Sequence, residues 1–182
     1  MNFYRPEFEA ALRLFAKVSE DVERRGAARP ILVGGAAVEL YSASDIATGD
    51  FDLVTGRQDI LEEALIARGF VKPSGPGTLT RGWIHPDLGL GFEVVGSTLL
   101  DGRAESARIR LIVTDEGNHF AVIAVEDLIA DRMGQYASGT PRRSSSSRRK
   151  RFTSFITTFR PAALPPGWLC PTTDFPVLQR TK

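Results

Sequence analysis

Residues 31–54, which read ILVGGAAVELYSASDIATGDFDLV, constrain the fold of this chain more than any other segment. The apolar run 31–33 predicts a short buried strand. Gly34 and Gly35 follow it, and two glycines permit a tight turn and the close approach of another group. A short helix is then expected to end near Tyr41. The segment therefore predicts a strand, a turn and a helix, followed by a polar loop that leads into a second strand.

The second strand, residues 50–54, carries two aspartates separated by one apolar residue. Side chains alternate between the two faces of a strand, so Asp50 and Asp52 are expected on one face, with Phe51 and Leu53 on the other. Carboxylates on one face of a strand are suitable ligands for a hard divalent cation. This strand therefore predicts a metal site beside a buried sheet.

The rest of the first 140 residues alternates between helical and extended patterns. Because strands and helices alternate in this way, we expect an α/β (α+β) fold with a mixed β-sheet and flanking helices. Apolar residues spaced by three and four predict helices over residues 3–25, 59–68 and 125–136. Period-2 patterns and turn residues predict strands over 78–85, 91–96, 108–113 and 119–123, of which the last two form a hairpin at a sheet edge.

Two of these elements carry further candidate residues. In strand 91–96, Glu93 lies opposite the face of Phe92 and Val94, which makes it a third carboxylate of interest. In helix 125–136, we expect an inward face of Leu128, Ile129 and Met133. The polar face of that helix is expected to carry Glu126, Asp127, Asp131 and Arg132.

The charge distribution divides the chain near residue 140. Residues 1–140 carry 14 Lys and Arg and 21 Asp and Glu, a net charge of −7, whereas residues 141–182 carry 9 and 1, a net charge of +8. We expect one domain over 1–140 and a basic, Pro-rich tail over 141–182 that is poorly ordered, because its prolines prevent long elements. Two alternatives stay open: a shift of reading frame near residue 140, and nucleic-acid binding through Arg142, Arg143 and Arg148 to Arg151.

Composition narrows the remaining classes of function. The sequence has no long apolar run and no secretion-type N-terminus, so we expect a cytoplasmic protein with no membrane contact. Cys170 is the single cysteine, and the only histidines are His85 and His119. That set provides neither zinc ligands nor a Cys-His nucleophile pair, so any metal is expected to be bound by oxygen.

The order of these motifs resembles the nucleotidyltransferase superfamily related to DNA polymerase beta. The segments that carry the resemblance are VGGAAVELY, TGDFDLV, ARGF, WIHPDLGLGFEVVG and VEDLIADRMGQY, and together they span most of the first 140 residues. Within the superfamily, the chain is similar to the small bacterial proteins grouped with the AbiEii-type toxins. The resemblance implies the nucleotidyltransferase fold.

The resemblance also implies roles for particular residues. The glycine pair would contact a nucleoside triphosphate, the two aspartates would bind Mg²⁺ or Mn²⁺, and the glutamate would be the third metal-binding acid or a general base. A later Asp-Arg pair matches a pair in these relatives and would contact phosphate. In this sequence the nucleotide-binding candidates are Gly34, Gly35, Asp131 and Arg132, and the catalytic and metal-binding candidates are Asp50, Asp52 and Glu93.

The function implied is transfer of a nucleoside monophosphate from an NTP to a hydroxyl group. The acceptor would be tRNA or a protein, in a toxin–antitoxin setting with an antitoxin partner. The alternative is a non-catalytic module that keeps the fold and binds a partner or a nucleotide. The loop Ser42–Gly49 favours this alternative, because it has no basic residue where these relatives often carry one.

Overall fold

The computed structural model describes residues 4–73, 82–102, 104, 106–137 and 164–171. Within these ranges the chain forms four α-helices and one six-stranded mixed sheet. The elements in chain order are α1 (Pro6–Arg24), β1 (Ile31–Val33), α2 (Gly34–Tyr41), β2 (Asp50–Val54), α3 (Gln58–Ala67), β3 (Trp83–Ile84), β4 (Gly91–Gly96), β5 (Arg110–Val113), β6 (His119–Val122) and α4 (Val125–Ala137).

The strands follow the order β3-β4-β2-β1-β6-β5 across the sheet. Strand β2 lies between β1, to which it is antiparallel, and β4, to which it is parallel. Strand β1 is parallel to β6, and β5 and β6 form an antiparallel hairpin at the edge of the sheet. The expected mixed sheet with flanking helices, including the edge hairpin, is therefore confirmed.

Helix α1 covers one face of the sheet with aromatic side chains. Phe51 of β2 stacks on Phe92 of β4 with ring centroids 4.6 Å apart, and Phe8 and Phe15 of α1 lie 5.5 and 6.4 Å from the Phe51 ring. All four rings are almost fully buried. Aromatic packing of this kind contributes beyond the buried area alone, so it fixes α1 to the centre of the sheet.

Helix α4 forms where expected, but two of its side chains lie differently from the prediction. Met133, expected inward, is 56% exposed. Asp127, expected on a polar face, is 6% exposed and pairs with Arg108, whose Nη2 lies 3.0 Å from the Asp127 Oδ1. An ion pair from the segment before β5 therefore buries a carboxylate that the sequence alone assigns to solvent.

Residues 164–171 belong to the predicted tail, and in the structure they lie against the edge of the sheet. Trp168 is 5% exposed, packs edge-on against Phe120 at 6.0 Å and lies under the Arg13 guanidinium at 5.5 Å. Leu169 exchanges two backbone hydrogen bonds with Val113 of β5, of 2.7 and 2.8 Å. A side chain and a backbone bridge thus attach this segment to the sheet edge.

Several predictions lie outside the described residues. These are the basic run from Arg142 to Arg151, the rest of the predicted tail apart from 164–171, and most of the strand expected over 78–85, of which only β3 is described. Among the described residues, no helix combines the length and the apolar character that a membrane span requires.

The docking of residues 164–171 predicts a large loss of stability for one substitution and a small change for its neighbour. Trp168→Ala should lower the free energy of unfolding by about 3–5 kcal/mol, because it removes a buried aromatic side chain. Leu169→Ala should change it by less than about 0.5 kcal/mol, because that side chain is 66% exposed and its backbone bonds are kept. Urea unfolding of both variants measures the difference, and equal small effects would show that the segment is not docked.

Candidate functional site

Strand β2 presents its two aspartates on the face opposite the aromatic core. Phe51 and Leu53 are completely buried, whereas Asp50 is exposed and Asp52 is partly buried. The apolar side chains of β2 face the core, where Phe8 and Phe15 of α1 contact Phe51. The predicted separation of apolar and acidic faces is confirmed for this strand.

Glu93 lies beside the aspartate pair on the neighbouring parallel strand. In the register of β2 with β4, Asp52 pairs with Glu93 and Asp50 pairs with Gly91. Paired residues of neighbouring strands point to the same face, with strands about 4.8 Å apart. Gly91 leaves room for the Asp50 carboxylate, whose Oδ1 is 3.1 Å from the position that a Cβ would take on this glycine.

The glycine turn at the start of α2 packs against Asp52. Gly34 has a φ of +62°, and a Cβ built on it would lie 1.9 Å from the Asp52 Oδ2. The Gly35 N–H donates a hydrogen bond of 3.4 Å to the same oxygen. The first turn of a helix has amide groups without helical partners, and they favour negative charge. The close approach that the glycine pair permits is therefore made by a carboxylate of the chain itself.

The pKa of Asp52 responds to burial and to the charges around it, including that of Arg132. Burial raises the pKa of Asp52, and the charges of Asp50 and Glu93 raise it further. The Gly35 hydrogen bond and the positive charge of Arg132 on α4 act in the opposite direction on this pKa. Thus α4 supplies a cation to the acidic face of β2.

The predicted site residues differ in how closely the fold brings them to Asp52. The fold brings Asp50, Asp52 and Glu93 to one face, with Gly34 and Gly35 against Asp52 and Arg132 within electrostatic reach of it. Asp131 precedes Arg132 on α4 and is partly buried.

The donor set at this face suits a hard divalent cation, because three carboxylates supply only oxygen. In the described part of the chain, however, no three acidic, histidine or cysteine side chains are grouped as the ligands of one ion. Asp52 instead points its Oδ2 at the start of α2. The residues that would hold Mg²⁺ or Mn²⁺ are thus on one face, and their side chains need to converge before they coordinate an ion.

Sequence reasoning missed the cation beside the loop Ser42–Gly49. Arg5, which precedes α1, donates from its Nη2 to the carbonyl of Thr48 at 2.9 Å and forms a two-point ion pair with Glu39 of α2. Glu39 has 0% exposure. A single charged residue in the otherwise apolar helix AAVELY was the available signal, because a buried charge requires a partner.

Comparisons of the chain with protein-family models, with curated proteins and with solved structures found no match. The site is therefore interpreted from its own geometry and from the motif resemblance described above.

The contact between Gly34 and Asp52 predicts a cost beyond backbone strain. Gly26 also has a positive φ, of +80°, but nothing lies within 4 Å of a Cβ built there. Gly26→Ala should therefore lose only about 1–2 kcal/mol of unfolding free energy, from its left-handed backbone. Gly34→Ala should lose a further ~1–3 kcal/mol from the clash with Asp52. Equal losses in denaturant unfolding would argue against the tight packing of this turn.

Burial of Asp52 predicts that the wild-type carboxylate destabilises the fold at neutral pH. Because the folded-state pKa is raised, the stability contributed by this group is complete below its unfolded pKa of about 3.9 and is lost as the pH rises through the folded pKa. Asp52→Asn should therefore have a higher Tm than the wild type at pH 7, and the gain should shrink as the pH falls towards about 3.5.

Asp50→Asn is the matched control, since Asp50 is on the same strand and exposed. Because the Asp50 charge contributes to the raised pKa of Asp52, scanning calorimetry should detect a rise in the Tm of Asp50→Asn at pH 7 that is smaller than the rise for Asp52→Asn. A lower Tm of Asp52→Asn at pH 7 would instead mean that the charge itself is needed at the start of α2.

Proposed function

We propose that the protein is a metal-dependent nucleotidyltransferase with the nucleotidyltransferase fold. It transfers a nucleoside monophosphate from a nucleoside triphosphate to a hydroxyl group and releases pyrophosphate. The observation that carries the proposal is the register of β2 with β4, which sets Glu93 beside Asp52 on the face away from the core. A glycine turn packs against the same carboxylate, and the positive charge of Arg132 lowers its pKa. Acids, a turn whose amides have no helical partners and a cation together suit a triphosphate with its metal.

The proposed reaction uses these groups in separate roles. The acceptor hydroxyl oxygen forms a bond to the α-phosphorus, the bond from that phosphorus to the bridging β-phosphate oxygen breaks, and pyrophosphate leaves. The amides of Gly34 and Gly35 bind phosphate oxygens. The guanidinium of Arg132 also binds them, and Asp131 orients this guanidinium. Glu93 either accepts the hydroxyl proton or serves as the third metal ligand, in which case the proton passes to solvent water.

Magnesium or manganese, when bound by Asp50, Asp52 and Glu93, supplies charge stabilisation to the attacking and leaving oxygens. To hold such an ion, Asp52 would give up its contact with the Gly35 N–H. The amides at the start of α2 would then be available to phosphate oxygens.

The biological setting follows from the same resemblance. We propose a cytoplasmic toxin–antitoxin system in which tRNA or a protein is the acceptor and an antitoxin is the partner. The sequence of the basic stretch after residue 140 supports a nucleic-acid acceptor, because arginines bind phosphates of any base sequence. Loss of RNA labelling in a full-length variant with Arg142, Arg143 and Arg148 replaced by Gln, which keeps residues 164–171, would support RNA as the acceptor class.

A second candidate function is that of a non-catalytic module. The observation in its favour is that Asp52 already caps α2, while no three potential ligands are grouped around one point in the described ranges. A module of this kind keeps the fold and binds a partner through it. Calorimetric titration with magnesium and each NTP separates the candidates, because a partner-binding module need not bind nucleotide.

The catalytic proposal predicts a loss of turnover on neutralising the acids. Asp50→Asn and Asp52→Asn should each lower NMP transfer roughly a hundredfold or more, because each removes a charge that stabilises the transition state. The measurement is the transfer of label from the four NTPs, with magnesium or manganese, to total RNA and to total protein.

Asp59→Asn is the control for this series. Asp59 is an exposed aspartate at the start of α3, paired with Arg57, and its variant should transfer label as the wild type does. Labelling by both strand variants at the wild-type rate would overturn the catalytic proposal.

A further inference from the structure

The completely buried carboxylate of Glu39 accepts hydrogen bonds from the loop Ser42–Gly49. Glu39 accepts hydrogen bonds from the Arg5 Nε at 2.7 Å, the Arg5 Nη2 at 2.9 Å and the Ser44 Oγ at 2.9 Å, and also from the Thr48 N–H. Four donors occupy the two oxygens of one carboxylate, which is about the number that such a group accepts. Donors from the chain itself therefore compensate the charge of Glu39.

The pair of Arg5 and Glu39 holds Thr48 through both of its backbone groups. The Thr48 N–H donates to Glu39, and the Thr48 carbonyl accepts from the Arg5 Nη2. Ser44, near the start of the loop, is held in a similar way, since its hydroxyl accepts from the Arg5 N–H at 3.1 Å and donates to Glu39. Both ends of the loop thus depend on one ion pair.

Thr48 in turn lies between the two parts of the candidate site. Its Oγ1 is 2.5 Å from the position of a Cβ on Gly35, and it donates to the carbonyl of Asp50 at 3.2 Å. The Thr48 hydroxyl occupies the space that a side chain at position 35 would take. The position of Thr48 therefore sets the spacing between the first turn of α2 and the start of β2.

The loop backbone is held in a conformation that it would not adopt alone. Ala43 and Ser44 have φ angles of 51° and 63°, and the left-handed region is unfavourable for side chains such as these. The Ser44 N–H reaches the Glu39 carbonyl at 3.0 Å in this conformation. Such strain persists only where surrounding contacts specify the backbone.

From these contacts we propose that Arg5 and Glu39 are positioning residues of the nucleotide site. They act through Thr48 and hold the glycine turn and the aspartate strand at the spacing that a bound triphosphate requires. This inference rests on the proposed function. Stability alone does not account for this buried ion pair, because well-packed apolar side chains often stabilise a fold equally well.

The structure provides a matched pair of variants for the test. Asp21 of α1 is also largely buried and forms a two-point ion pair, with the Arg68 Nε and Nη2 at 2.6 and 3.0 Å. It lies sixteen residues beyond Arg5 in sequence, which is about 24 Å along a helix. Glu39→Gln and Asp21→Asn therefore remove the same kind of charge, at the site and away from it.

The experiment is calorimetric titration with magnesium and each of ATP, CTP, GTP and UTP, well below the Tm of every variant. Both substitutions should lower the Tm, but only Glu39→Gln should weaken nucleotide binding, by roughly tenfold or more, because small displacements at such a site are costly. Ser44→Ala removes one bond to Glu39 and one to Arg5 while keeping the ion pair, and it should weaken binding to a lesser extent. It gives the answer if Glu39→Gln does not fold.

The outcomes separate this inference from the function on which it rests. Equal nucleotide affinity in Asp21→Asn, Ser44→Ala and Glu39→Gln, with loss of binding in Asp52→Asn, would overturn the positioning role and leave the proposed function standing. For a Glu39→Gln variant that does not fold, unchanged affinity in Ser44→Ala has the same meaning. No binding of any of the four nucleotides by the wild type would overturn both.

Discussion

The register between β2 and β4 is the constraint on which the rest of the structure depends. The pairing that stacks Phe51 on Phe92 in the core also sets Asp52 beside Glu93 on the opposite face. A slip of one residue would turn the acids of one strand into the core, at the cost of burying unpaired charge. The hydrophobic core therefore selects the arrangement of the acids, and the site needs no separate device to align its two strands.

The acidic face is arranged against the stability of the fold. Asp52 is partly buried, and neighbouring Asp50 and Glu93 add like charge, which is why its pKa is raised. The hydrogen bond from Gly35 and the charge of Arg132 partly offset this rise in the pKa of Asp52. Groups with raised pKa values beside like charges are typical of sites that bind a cation or a reacting group, since a purely structural strand gains nothing from them.

Local patterns predicted the strands, the helices and the acidic face, because alternation and helical spacing are properties of neighbouring residues. The pair of Arg5 and Glu39 was beyond such patterns, since its members are 34 residues apart and meet only when the segment before α1 lies against α2. Trp168 likewise showed no periodic pattern, and its burial depends on the edge formed by β5 and β6. Sequence patterns therefore did not predict contacts between residues that are distant in the chain. The roles of the site residues stay predictions.

The attachment of residues 164–171 has a consequence for how the chain matures. Strand β5 is the last strand of the sheet, and within the described residues the outer backbone groups of its Val113 pair with Leu169, far later in the sequence. During synthesis the ribosome releases the aromatic core and the acidic face first, while β5 presents an open edge of the kind that pairs with other chains. A nascent chain stalled before Trp168 would carry every candidate site residue and still lack its protection against association with its neighbours.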